Sequence, residues 1–274
     1  MRKGLLLIGC GNMGASLLKG WCADKSLLGP FWVITPTREK VEPFMGDTRV
    51  HYLADPCELQ ETPDVTICAL KPSKVSEVLP LYRGLMPPGS VFCTVAAALP
   101  LSFYQSILRD DVTLVRVMPN LPVAAGAGQS LYCGQSSLPS PVQRHVEQVF
   151  GGLGKVLFVS DEKALDQRTP LMGCGPGFLF KIIESLARAT ETLGVAPEEA
   201  KILARDMFIG TAKFLEQSTK EVSTLRQEVA SPHGMTEAGY EAMDKAHLDA
   251  LIQEALLAAL KRAHEMEKEY AYAG

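Results

Sequence analysis

Two stretches of this chain carry residue types suited to chemistry rather than packing. The first is Gly9-Cys10-Gly11-Asn12-Met13-Gly14, a G-x-G-x-x-G that follows the apolar run Leu5–Ile8. It opens a segment with Met13, Leu17, Leu18 and Trp21 at helical spacing. Between a strand and a helix, that pattern is a dinucleotide fingerprint. Gly9 permits the tight turn, Gly11 lets the backbone approach a pyrophosphate, and Gly14 lets helix and strand pack closely. The helix N-terminus offers free N–H groups and a positive dipole to the phosphates. The second stretch is Ala230-Ser231-Pro232-His233-Gly234-Met235-Thr236, far along the chain and just ahead of a helical pattern. A core needs none of these small, turn-prone and hydroxyl-bearing residues. Taken by itself, the stretch is a turn in which Thr236 can cap the following helix.

Further candidates lie at the ends of apolar runs. After Phe31–Ile34 comes Thr35-Pro36-Thr37-Arg38-Glu39-Lys40. An NAD site carries an acidic residue there for the ribose 2′-hydroxyl. Here hydroxyls and a cation stand instead, and Thr35, Thr37 and Arg38 can donate to a 2′-phosphate. NADPH is therefore expected in preference to NADH, with Glu39 and Lys40 facing solvent. Ala69-Leu70-Lys71-Pro72 and Met118-Pro119-Asn120-Leu121-Pro122 close two later runs, at the carboxyl ends where open α/β sheets bind ligands. Asn120 has the donors and acceptors a nicotinamide carboxamide needs. Lys71 and Asn120 can equally be turn residues.

These segments need a scaffold. Up to about residue 160, short apolar runs (Leu5–Ile8, Phe31–Ile34, Val65–Leu70, Val91–Val95, Leu114–Val117 and Val156–Val159) alternate with helical stretches. Continuously apolar strands suit a parallel sheet covered on both faces, so residues 1–160 are expected to form a Rossmann-like, doubly wound, mostly parallel α/β domain. Residues 161–274 are expected to be all-helical. Phe178–Ala189 is apolar almost all round, a second stretch runs from Pro197 to Gln217, and Leu248, Leu251, Ile252, Ala255, Leu256, Ala259, Leu260 and Ala263 mark a long final helix. So much apolar helix in a small domain predicts burial against a second subunit, giving a homodimer or higher homo-oligomer. The net charge of −4 and the absence of a basic tail argue against nucleic acid as a partner. No apolar run at the N-terminus is long enough for a signal segment or membrane span. The seven cysteines form no C-x-x-C pair and suit a reducing, cytoplasmic setting. The scattered histidines give no metal site.

Across nearly its whole length the chain resembles pyrroline-5-carboxylate reductases. The resemblance rests on IGCGNMG (8–14), LKP (70–72), VAA (95–97), RVMPNLP (116–122), MGCGPGFLFKIIE (172–184) and LRQEVASPHGMT (225–236). It implies a Rossmann domain joined to a helical dimerisation domain, often assembled as pentamers of dimers, and NADPH-dependent reduction of a cyclic imine carboxylate to L-proline. It places the pyrophosphate on Gly9, Cys10, Gly11, Asn12, Met13 and Gly14, and the 2′-phosphate at Thr35, Thr37 and Arg38. Leu70, Lys71, Pro72, Ala96, Ala97 and Asn120 line the nicotinamide half. The loop holding Ser231, His233, Gly234, Met235 and Thr236 matches the family's S-P-G-G-x-T, whose backbone N–H groups take the substrate carboxylate. Thr236 matches the threonine that meets the ring nitrogen.

The chain departs from that pattern in places. His233 replaces a glycine, Ala98 stands where a glycine follows the alanine pair, Gln227 replaces an aspartate, and Cys174-Gly175-Pro176-Gly177 loses hydroxyls. A protonated imine arrives already activated, so positioning can replace a dedicated acid. Two other readings follow from the same residues. One is a β-hydroxyacid dehydrogenase or related imine reductase using Lys181, although Ile182-Ile183-Glu184 follows that lysine where an asparagine is needed. The other is a non-catalytic NADPH-binding regulator. His233 could also add positive charge beside an anionic substrate below neutral pH.

Overall fold

The computed structural model describes residues 4–271, in two compact units. One unit comprises the chain through Cys174 together with the segment from Ala259 onward; the other is Gly175–Ala258.

The first unit is built on β1 (Leu5–Ile8), β2 (Phe31–Ile34), β3 (Val50–Leu53), β4 (Val65–Cys68), β5 (Val91–Thr94), β6 (Thr113–Met118), β7 (Gly128–Gly134) and β8 (Gly154–Phe158). They form one sheet in the order β3-β2-β1-β4-β5-β6-β7-β8. The first six are parallel, β7 runs antiparallel to β6, and β8 is parallel to β7. The order reverses direction between β1 and β4, so a crevice opens beyond their carboxyl ends. Two of these strands are absent from the expected runs. The edge strand β3 reads Val-His-Tyr-Leu and buries only Val50. The other, β7, reads Gly-Gln-Ser-Leu-Tyr-Cys-Gly, yet pairing on both sides buries even Ser130.

Successive strand residues point to opposite faces, and each face has its own core. Leu5 and Leu7 pack with Leu17, Leu18 and Trp21 of α1 (Asn12–Ala23) and Val146, Val149 and Phe150 of α4 (Ser140–Phe150). Leu6 and Ile8 pack with Val75 of α2 (Pro72–Val78), with Leu79 and Tyr82, and with Leu101 and Tyr104 of α3 (Leu101–Ile107). Each such side chain gains about 1.5–3 kcal/mol on leaving water, so neither face can be left uncovered. Trp21 fills its site without an orphan donor, because its Nε1–H donates to Val149 O at 2.8 Å.

Asp161 caps α5 (Glu162–Met172) through the Ala164 N–H at 2.7 Å. This helix lies against the sheet, where Leu165 is fully buried in a cluster with Met118, Leu131 and Cys133. The division between units therefore falls at Cys174/Gly175, later than the expected break after residue 160. The segment from Ala259 onward joins the first unit as Tyr270 and Ala271 pack on the Leu6/Ile8 face.

The second unit holds α6 (Gly175–Glu191), α7 (Pro197–Gln217), α8 (Val222–Val229), α9 (Met235–Lys245) and the start of α10 (Leu248–Ala271). Pro197 at the first position and Glu198 and Glu199 in the first turn explain where α7 starts. The helices α6 and α7 approach each other, with Ala187, Ala200 and Ala204 buried. Phe178–Ala189 reads as a buried helix, but within one chain Leu179, Phe180 and Ile182 remain 42%, 58% and 38% exposed.

Candidate cofactor and substrate sites

The phosphate loop shows why each glycine stands where it does. Gly9 has φ 88°, a left-handed conformation that favours glycine. A Cβ on Gly14 would lie 2.4 Å from Gly9 O, so α1 can enter this close to β1 only through a glycine. A Cβ on Gly11 would meet nothing within 4 Å, which leaves open space at the start of α1. Gly11 is the N-cap of that helix and supplies no capping side chain, so the first-turn N–H groups are available to an anion. Asn12 is exposed, whereas Met13 packs partly on the core, leaving its backbone as its group on the ligand side. Cys10 is buried, which raises its thiol pKa, and its Sγ contacts Lys40 O at 3.7 Å. This ties the loop to the turn after β2.

That turn holds Thr35, buried, Thr37, half-buried, and Arg38, exposed, in a short 3-10 segment Arg38–Lys40. The Arg38 guanidinium lies 5.7 Å from the centre of the Tyr52 ring, a cation–π contact that orients it without neutralising it. Lys71 caps α2 with Pro72 at its first position, and Leu70 packs against the core. The register pairs Ile8 with both Ile34 and Cys68, and Cys68 with Thr94. The loops carrying Gly9–Gly14, Thr35–Arg38, Leu70–Pro72 and Ala96–Ala97 therefore share one edge of the sheet. A donor set of backbone N–H groups, hydroxyls and one guanidinium fits a dinucleotide phosphate ester.

Asn120 does less than its sequence suggests. It is buried, and its Oδ1 accepts the Gln129 N–H at 2.8 Å, bracing the turn after β6 against β7. Its carbonyl is thus engaged, and the side-chain amide is left as a donor.

Sequence reasoning missed the support beneath these loops. Arg116 on β6 is 4% exposed and bonds Glu162 Oε1 at 3.2 Å and Asp166 Oδ1 at 2.7 Å, both on α5. Burial opposes its charge, but Asp166 and Glu162 outweigh this and hold its pKa above the ordinary value. Its Nε has no hydrogen-bond partner among the described residues. Glu162 Oε1 also accepts the Leu101 N–H at 3.0 Å, so the cluster ties α3, β6 and α5 together. On β5, the Thr94 hydroxyl donates to the Tyr104 hydroxyl at 2.7 Å and accepts the Ala96 N–H at 3.2 Å, fixing the alanine loop. A buried-strand arginine followed far downstream by two carboxylates one helical turn apart was the available signal.

In the second unit, Gly234 is the N-cap of α9 and gives no side-chain cap. Thr236 is therefore not the helix cap that the sequence suggests. It sits inside the first turn, and its hydroxyl finds no partner among the described residues. Not all N–H groups of the loop are open: His233 N–H donates to Glu237 Oε2 at 2.5 Å and Gly234 N–H to Ser231 O at 2.9 Å. The open donors are those of Met235, Thr236 and Glu237. A Cβ on Gly234 would lie 2.3 Å from Ser231 Oγ and 2.9 Å from Ser231 O, so a side chain there would require the turn to shift. Lys181 on α6 points to solvent, with its side chain 67% exposed and Glu184 at 3.4 Å. Among the described residues, no cluster of three or more His, Cys, Asp or Glu residues could hold a metal ion.

Two family models match the chain. One, described as pyrroline-5-carboxylate reductase dimerisation, covers residues 162–266; the other, NADP oxidoreductase coenzyme F420-dependent, covers residues 5–95. The pyrroline-5-carboxylate reductase of Arabidopsis thaliana is 30% identical over 263 residues, spanning 95% of this chain and 94% of that one. The chain belongs to the pyrroline-5-carboxylate reductase family. The Pseudomonas aeruginosa member is 27% identical over 265 residues, with 97% of each chain covered. A solved pyrroline-5-carboxylate reductase from Coxiella burnetii superposes with a TM-score of 0.87 at 27% identity, over 98% of this chain and 100% of that one. Against the family pattern, the two glycine replacements become interpretable. Ala98 and His233 have left-handed backbones, with φ 65° and 56°, the region that favours glycine. Such a conformation costs a non-glycine residue about 1–2 kcal/mol, which the neighbouring contacts must offset.

Proposed function

We propose that this chain is an NADPH-dependent pyrroline-5-carboxylate reductase, converting L-1-pyrroline-5-carboxylate to L-proline. The observation that carries the reading is the open head of α9. Three backbone N–H groups and the Thr236 hydroxyl stand without partners among the described residues, in a chain whose sheet edge fits a dinucleotide. The N–H groups of Met235, Thr236 and Glu237, with the positive end of the helix dipole, bind the substrate carboxylate, which a protein of net charge −4 cannot attract by its overall field. Ser231 shapes the cradle from the other side of Gly234. The Thr236 hydroxyl bonds the ring nitrogen and orients the imine.

NADPH, when bound, supplies the hydride that adds to the imine carbon. Gly9–Gly14 hold its pyrophosphate. Arg38, Thr35 and Thr37 take its 2′-phosphate, and the description of the family model over residues 5–95 agrees with NADP. Lys71, Pro72, Ala96, Ala97 and the Asn120 amide border the nicotinamide half. Substrate nitrogen already carries its proton as the iminium, so no acid–base pair is required, and the residues act by positioning.

The helical unit pairs with a second copy. Its apolar residues are exposed in the single chain, including Phe180, Met207 and Phe214, and a groove of about 720 Å³ is lined by Phe180, Ile183, Ala187, Phe208 and Ile209 together with charged side chains of α6 and α7. Cysteines 10, 22, 57, 68, 93, 133 and 174 are all unbridged, which suits the cytoplasm. Following NADPH absorbance on adding L-1-pyrroline-5-carboxylate tests the proposal. Oxidation matched by proline formation is expected. Cofactor binding without oxidation, or oxidation only with a keto acid, would overturn it.

A further inference from the structure

We infer that Glu237 is a positioning residue of the substrate cradle, holding the His233 turn in the left-handed conformation that exposes the donors at the head of α9. The inference rests on the carboxylate-binding role proposed for that loop.

His233 has φ 56°, a region that an L side chain rarely adopts without help. Its peptide N–H donates to Glu237 Oε2 at 2.5 Å. Glu237 is the third residue of α9, the position from which a glutamate ordinarily reaches back to the N-cap N–H. Here the N-cap is Gly234, whose N–H is already given to Ser231 O at 2.9 Å. The carboxylate therefore takes the N–H one residue earlier. Its bond is charge-assisted and acts on the residue of this loop whose backbone conformation is unfavourable. With that unit held, the chain enters α9 with the N–H groups of Met235, Thr236 and Glu237 uncapped.

A second tether steadies the loop's far end. The Tyr240 hydroxyl of α9 donates to Arg226 O at 3.2 Å, and the Arg226 guanidinium lies 5.6 Å from the centre of the same ring. The exit of α8 is thereby fixed to α9, which brackets the five residues between the helices. Glycine reaches positive φ without strain. The need for Glu237 is thus created by the histidine, and the two residues should act as a unit.

A double-mutant cycle tests this, with Glu237→Ala, Glu237→Gln, His233→Gly and the double variant His233→Gly/Glu237→Ala. KM for L-1-pyrroline-5-carboxylate and kcat are measured at saturating NADPH, and amide hydrogen exchange of the loop is measured without substrate. Glu237→Ala should raise KM about tenfold, the size of one charge-assisted hydrogen bond, with kcat nearly unchanged. Glu237→Gln, which keeps an acceptor, should recover most of that loss. In the His233→Gly background the alanine change should alter KM by less than about twofold, the non-additivity expected of residues in one network. Equal KM effects in both backgrounds would overturn the inference, since they would mean that the carboxylate acts on substrate directly. Exchange at His233 should speed up in Glu237→Ala, and unchanged exchange would also overturn it. That readout needs no turnover, so an inactive wild-type protein would sink the proposed reaction while exchange still decides the clamp.

Discussion

Replacing Arg116 by leucine isolates what the buried ion cluster contributes. The substitution keeps apolar bulk on β6 but leaves Glu162 and Asp166 without their cation. Breaking a fully buried pair from one side costs about 3–5 kcal/mol. The Arg116 side chain is 4% exposed, but Glu162 and Asp166 retain 27% and 26%, so water recovers part of their solvation. The expected loss is therefore nearer 2–3 kcal/mol, roughly two charge-assisted hydrogen bonds after hydration of the carboxylates. At about 2–4 °C per kcal/mol for a chain of this size, Tm should fall by roughly 5–10 °C. Thermal unfolding followed by circular dichroism, at one fixed protomer concentration, measures this, because subunit association makes Tm concentration-dependent. Arg116→Lys should recover only part of the loss, since a point charge cannot reproduce the fork that reaches both carboxylates. Adding Glu162→Gln and Asp166→Asn to Arg116→Leu should restore much of the stability by removing the uncompensated charge. A Tm for Arg116→Leu within about 1 °C of wild type would refute the reasoning. So would a triple variant less stable than the single one.

Two further predictions concern other parts of the first unit. Arg38→Ala should raise KM for NADPH about 10- to 100-fold, the range of a lost charge-assisted phosphate contact, and leave KM for NADH nearly unchanged; equal effects on both cofactors would remove Arg38 from the 2′-phosphate site. Asp47 bonds Arg49 at 2.6 Å, and Arg49 in turn donates to the Asp24, Leu27 and Cys22 carbonyls. The Arg49 hydrogen bond holds the Asp47 pKa well below its ordinary value of 3.8. A depressed carboxylate pKa gives stability that is present above the unfolded value and lost as pH falls toward the folded one. Asp47→Asn should therefore cost about 1–2 kcal/mol near neutrality. The gap from wild type should narrow only as pH falls below 3.8. A gap independent of pH across an acid titration of unfolding would contradict this.

The scaffold was largely legible in the sequence. The apolar runs at Leu5–Ile8 and Phe31–Ile34 coincide with β1 and β2, and the stretch from Pro197 to Gln217 coincides with α7. Such segments announce themselves because apolar periodicity and a proline at a helix start act within a few residues. Strand β3 was hidden because an edge strand that buries only Val50 carries no apolar run, and β7 because its polar residues are buried only once β6 and β8 flank it. The candidate site divides in the same way. The glycine loop and the strand tip without an acid were readable by residue type. The capping role available to Thr236 was not decided until Gly234 took the cap, and Asn120 lost its free carbonyl to Gln129, on the far side of a turn.

By itself, then, the sequence determined what is local: which segments are strands or helices, where a pyrophosphate can approach, and that a cation rather than an acid follows β2. Tertiary structure decided what depends on distant partners. Arg116 meets carboxylates 46 and 50 residues away, and no periodicity encodes that pairing. It also decided the backbone of Ala98 and His233, whose positive φ values contradict local preference. Ala98 is buried in the fold; at His233 the Glu237 carboxylate, only four residues on, becomes a partner once the turn into α9 has formed. Local propensity is set by each residue's own sterics, and only contacts made by the folded chain can override it.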